Sequence, residues 1–166
     1  MTPGARVAAA IEIVDMIHDG QAVEKSLTAW ARRSRFAGSK DRAAVRDHVF
    51  DTVRNWRADA VRGGSGTGRG RMIGRLRALD MDIEALFHGE GHAPAPLSED
   101  ENIAGQAPTE QADVWNMPEW ILPEFERSLG EAAADTAALL QSRAPITLRV
   151  NVGKCNVNQA AADLAE

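Results

Sequence analysis

Ser39-Lys-Asp-Arg-Ala-Ala-Val-Arg-Asp-His-Val-Phe-Asp-Thr-Val-Arg-Asn-Trp56 decides how the rest of the chain is read. Val45, Val49, Val53 and Trp56 recur at three- and four-residue intervals, which puts them on one face of an α-helix. Ser39 is a good N-cap residue, so the spacing predicts a helix from about Lys40 to Ala60. Arg42 falls inside the apolar stripe and is expected to be partly buried and paired with an acid. The far face carries Asp47, Asp51 and Arg54 and is mixed in charge.

Working outward, Thr2-Pro3 opens an N-terminal helix with a cap residue and a first-turn proline, and Gly20 ends it. Val7, Ala10, Ile11, Val14 and Ile17 form its stripe, and Ile13 and Met16 widen it, so much of its circumference is expected inside. A second helix spans about 22–33, with Val23, Leu27 and Trp30 on one face. The glycine-rich loop Gly63–Gly68 precedes a fourth helix over about 69–79, and a short fifth is expected over 83–88. A polar connection follows over 89–113, a wrapping arm or a disordered stretch. Helical character resumes from Trp115 to Leu129 and again from Glu131 to Arg143. At Pro145 the period changes from helical to alternating. Ile146, Leu148 and Val150 interleave with Thr147, Arg149 and Asn151, a strand pattern, and Asn156 then caps a last helix. The fold class is therefore mainly α. Residues 1–143 are expected to form a helical domain, within which residues 3–88 make a compact bundle with Trp30, Val49, Val53 and Trp56 in one core. Residues 144–166 form one β–α unit of an incomplete second domain, because a lone strand has no ladder partner.

Composition narrows the class of protein. Of 166 residues, 44% are apolar and 26% charged, in the globular range. No run approaches the roughly 18 apolar residues of a membrane span. Arg6, Glu12, Asp15 and Asp19 make the N-terminus an amphipathic helix rather than a signal peptide. The single cysteine, Cys155, fits a reducing compartment, so the expected location is the cytoplasm. The net charge of −5 conceals an asymmetry: residues 1–80 carry 15 Lys/Arg against 9 Asp/Glu, and residues 81–166 carry 4 against 15. The cations gather as Arg32, Arg33, Arg35 and Lys40, and again as Arg69, Arg71, Arg75 and Arg77. Both groups lie at helix ends, where forked and point donors suit phosphates. Arg32, Arg33, Arg35, Lys40, Arg69 and Arg71 are the candidate RNA-binding residues.

Other motifs lead nowhere. Gly63 and Gly68 have the spacing of a phosphate loop, but Arg69-Gly70 follows where Lys-Ser/Thr is needed. His88 and His92 are four apart, yet Gly89 and Gly91 interrupt a helix there and no further ligands complete a shell. Cys155 has no histidine near it in sequence to activate it.

Three stretches carry a family resemblance. Gly38 to Asn55 resembles the Asp-Arg helix of NusB-like domains, most closely the version fused to RsmB/Sun-type RNA cytosine methyltransferases. Met117-Pro-Glu-Trp-Ile-Leu-Pro-Glu-Phe-Glu-Arg-Ser-Leu-Gly130 is similar to the family's helix ahead of the second domain. Ala144-Pro-Ile-Thr-Leu-Arg-Val-Asn151 resembles the strand that begins its RRM-like segment. The resemblance implies a NusB-like helical region that docks ribosomal RNA, with S-adenosylmethionine (SAM) and the two catalytic cysteines belonging to a following domain. No cofactor and no catalytic residue maps onto this chain, and Cys155 matches neither cysteine. A free-standing NusB-like antitermination factor is the alternative, and the Leu-Arg-Val-Asn strand argues against it. The exposed strand over 146–152 is expected to pack on the bundle or to pair with a second copy.

Overall fold

A computed structural model describes residues 1–165. Its first half is a helical bundle built around α1 (Pro3–His18). Thr2 caps α1 by accepting from the Ala5 N–H at 3.2 Å, and Pro3 occupies the first turn, where its missing N–H costs nothing. Val7, Ala10, Ile13 and Val14 are fully buried. α1 packs against α2 (Val23–Arg33), α3 (Ser39–Arg54) and α5 (Gly68–Ala78), so the wide apolar stripe read from the sequence has a partner on three sides. Trp30, Val45, Val49, Met72, Ile73 and Leu76 complete the core.

The expected helix over 40–60 is two helices. Asn55 adopts φ −114°, ψ 28°, and its side-chain amide donates to Asp51 O at 2.9 Å; α4 (Trp56–Gly63) starts beyond it. The break changes which residues reach the core: Thr52 is buried, while Val53 and Trp56 only flank it. The four-residue core expectation therefore holds for Trp30 and Val49 and is corrected for the other two.

α4 and α5 form the tightest helix pair. A Cβ on Gly63 would stand 1.7 Å from Gly70 O, and one on Gly74 would stand 1.9 Å from Asp59 O. These glycines are required by backbone approach, not by loop flexibility. No helix forms over 83–88, though Leu86 and Phe87 are buried there.

The 89–113 connection wraps the bundle. It carries the short α6 (Glu99–Ile103), capped by Ser98 and Glu101 reciprocally, and ends in α7 (Gln111–Val114). Gln106 N–H donates to Val61 O at 3.2 Å. Asn116 then fastens the second half to the first. At φ +54°, its Oδ1 accepts from the N–H groups of Arg57 and Ala58 at 3.0 and 2.9 Å, capping α4 from 58 residues away. Its amide donates to Gln141 Oε1 at 2.9 Å.

The remaining elements are α8 (Leu122–Leu129), α9 (Ala133–Leu140) and α10 (Val157–Leu164), the last capped by Asn156 as expected. The strand expected at Ile146–Asn151 is not formed among the described residues: the backbone there has no ladder. An alternating pattern needs a neighbouring strand to become one, and none is present in residues 1–165. Ile146, Leu148 and Val152 are exposed, so packing of this segment onto the bundle is also not what the structure shows.

Candidate nucleic-acid interface

The first basic group occupies the end of α2, the turn 34–38 and the start of α3. The turn is pinned from both ends. Ser34 N–H donates to Trp30 O at 2.9 Å and Ala37 N–H to Ser34 O at 3.0 Å. Asp41 and Arg42, the pair that carries the Asp-Arg resemblance, do the rest. Asp41 accepts from Arg6 Nε at 2.9 Å, from the Met1 amine at 3.2 Å and from Gly38 N–H at 3.3 Å, which ties the start of α3 to α1. The Met1 amine, with Arg6 and Gly38, holds the Asp41 carboxyl below the usual carboxylate range against the opposing effect of burial. Arg42 Nε donates to Ala37 O at 2.9 Å. Arg42, expected to be partly buried and paired with an acid, is exposed and satisfies a carbonyl instead.

On this rigid turn Arg32, Arg35 and Lys40 are exposed, and none makes an ion pair among the described residues. Arg33 is also exposed and pairs with Glu12 of α1. Phe36 stands among them, 77% exposed. Arg46, one turn beyond Arg42 on α3, is exposed as well and was not singled out from sequence.

The second basic group is different. Arg69 donates to Glu101 Oε1 at 2.6 Å and to the carbonyls of Ala95 and Pro96, with its guanidinium 4.9 Å from the Phe87 ring centroid. That bond holds the Glu101 carboxyl at about 2. Arg71 is 6% exposed. It lies 3.8 Å from the Trp56 ring centroid and donates to Gly66 O and Trp56 O. Arg77 donates to the carbonyls of Arg62, Glu101 and Ala104, and Arg75 stands 3.8 Å from the buried Asp59. Arg69 and Arg71, expected as phosphate ligands, have donors engaged in closing the wrapping arm and the α4–α5 pair. The sequence signal that separates the two groups is weak. Arg69, Arg71 and Arg77 interleave with the glycines of a packed helix, whereas Arg32, Arg33 and Arg35 crowd one helix end.

The glycines around the 63–68 loop are taken up by packing. Gly63 and Gly70 face each other across the helix pair, and a Cβ on Gly64 would meet Ala104 at 2.5 Å. No described helix is long and apolar enough to cross a membrane.

Residues 117–166 match the family model described as the ferredoxin-like domain of RsmF/B-like methyltransferases. This segment of the chain is therefore similar to part of an RNA methyltransferase family, and it includes the Trp120 helix and the Leu-Arg-Val-Asn stretch. No curated protein and no solved structure matches the chain.

Proposed function

We propose that this chain is an RNA-docking region of a cytoplasmic, SAM-dependent rRNA cytosine-C5 methyltransferase, in which helices α1–α5 form a NusB-like module and methyl transfer belongs to a separate catalytic domain. The observation that carries the reading is the match of residues 117–166 to the ferredoxin-like domain of RsmF/B-like methyltransferases. That match takes in the stretch for which an antitermination factor has no use. The turn 32–40 supports the RNA part: it presents exposed, unpaired cations on a clamped backbone, the arrangement that gives phosphate affinity without sequence choice.

Fluorescence anisotropy with ribosomal RNA fragments tests it. Binding is expected at low salt, weak and with little sequence preference, and it should fall steeply as salt rises. Replacing Arg32, Arg35 and Lys40 together by Ala should weaken all RNAs about equally and flatten the salt slope. Absence of binding at low salt, or binding indifferent to the triple replacement, refutes the reading.

A further inference from the structure

Phe36 has no structural employment. Its neighbours Ser34 and Ala37 are 8% and 4% exposed, so the backbone of the turn is buried and pinned while the ring projects into water. Next to it lies an open groove of about 570 Å³ lined by Ala5, Ala9, Trp30, Phe36 and His92, among others; its one acidic side chain, Glu12, is paired with Arg33. The lining is mostly apolar, and the volume falls within the range of small-ligand clefts. Arg32, Arg35 and Lys40 all lie within four residues of Phe36, exposed and without acidic partners among the described residues.

We propose that this groove takes an unpaired RNA base, stacked on Phe36, while the flanking phosphates lie against Arg32, Arg35 and Lys40. The inference rests on the RNA-binding reading above and adds a preference for unpaired over duplex RNA. Two general features of nucleic-acid recognition point to the same occupant. Nucleic-acid single strands are held by cationic tracks combined with aromatic platforms, since every base has a π face. Recognition of RNA loops and bulges likewise uses splayed bases stacked on aromatic rings. An apolar peptide filling the groove would leave unmatched the three cations of the 32–40 segment that carries Phe36. A nucleotide supplies a flat apolar face and a negative charge about one backbone unit apart, which answers both features with a single molecule.

The experiment uses the full chain and two labelled RNAs of equal phosphate number, a single-stranded oligonucleotide and a blunt duplex. Phe36→Ala is expected to weaken the single strand by about tenfold and to leave duplex affinity and both salt slopes unchanged, because stacking carries no counterion release. Phe36→Trp should retain single-strand affinity, and its fluorescence should be quenched on binding. Phe36→Leu keeps apolar bulk without a flat ring and should behave like Phe36→Ala. The ring is exposed, so circular dichroism should show all three variants folded. Equal single-strand binding by wild type and Phe36→Ala would overturn the inference and leave the RNA-binding reading intact. No binding of either RNA at low salt would overturn both. Saturable quenching of Phe36→Trp by an acidic amphipathic peptide, with none by RNA, would assign the groove to a protein partner and overturn the inference alone.

Discussion

Arg71 and Arg32 differ only in surroundings, and the surroundings assign opposite roles. The Arg71 guanidinium is under the Trp56 ring and bonded to two carbonyls; that of Arg32 is in water. Arg71→Ala is expected to cost about 2–4 kcal/mol, since it empties a buried site and leaves carbonyls unsatisfied. Urea denaturation should show the loss, while RNA affinity of the folded variant stays at the wild-type value. A reduced salt slope in that variant would return Arg71 to the phosphate-binding set. Asn116 is the second case. Asn116→Ala removes two bonds at the start of α4 and places a Cβ-bearing residue without polar compensation at φ +54°. The expected cost is about 2–3 kcal/mol, combining a lost cap with left-handed strain. Asn116→Gly loses the same bonds but not the strain, and should be about 1 kcal/mol less damaging. Equal midpoints for the two variants would show that strain contributes nothing. Neither role was legible beforehand. A list of cations does not say which carbonyl each one satisfies, and Asn116 acts on residues 58 and 59 positions upstream.

At the scale of elements, the α4–α5 pair contains a charge problem. Asp59 on α4 is fully buried, with Arg62 at 3.6 Å and Arg75 at 3.8 Å, and neither of its carboxylate oxygens accepts a hydrogen bond. Burial, opposed by Arg75, Arg62 and Arg71, pushes the Asp59 carboxyl up from 3.8 to about 7. The folded protein then holds a proton that the unfolded chain releases near 3.8. Stability from this group is full below about pH 4 and is lost as pH rises through about 7. Thermal midpoints should therefore fall between pH 5 and pH 8 in the wild type, after other groups are accounted for, and Asp59→Asn should remove that part of the slope. Identical slopes in both proteins would show that Asp59 is already ionised in the folded state. The helices themselves were largely readable from caps and stripes: α1, α2, α5 and α10 begin and end within a few residues of their expected positions. The break at Asn55 was not, because Val53 and Trp56 continue the stripe of α3 unbroken through a residue that the backbone uses as a hinge between two axes. The glycine-rich loop read over Gly63–Gly68 is a loop over 64–67, but the packing role of Gly63, Gly70 and Gly74 beside it was not legible. Glycine marks both flexibility and close approach, and only the partner helix tells them apart.

Across the whole molecule the two halves are finished to different degrees. The first half encloses its apolar residues around α1, whereas Trp120, Leu139, Ile146, Leu148 and Val152 of the second half stand 62–78% exposed. The segment 146–152 presents alternating apolar side chains and two bare backbone edges, the form that recruits another strand. We propose that it pairs with the same segment of a second copy. A twofold antiparallel pair centred on Leu148 sets Ile146 opposite Val150 and keeps the two Arg149 side chains from facing each other directly, so the contact is self-complementary. A two-stranded ribbon is marginal in water, so the dimer should be weak and visible only as concentration-dependent sedimentation. The acidic balance of residues 81–166 repels the two copies, so added salt should strengthen the dimer by screening that repulsion. RNA binding should respond in the opposite direction, which separates the two interactions in one titration. Leu148→Pro removes an N–H donor from the ribbon and should give a monomer with unchanged helical circular dichroism, because Leu148 is exposed and lies outside the core cluster. Monomeric sedimentation of the wild type at high protein and high salt would rule the pairing out, as would a Leu148→Pro variant that dimerises as well as the wild type.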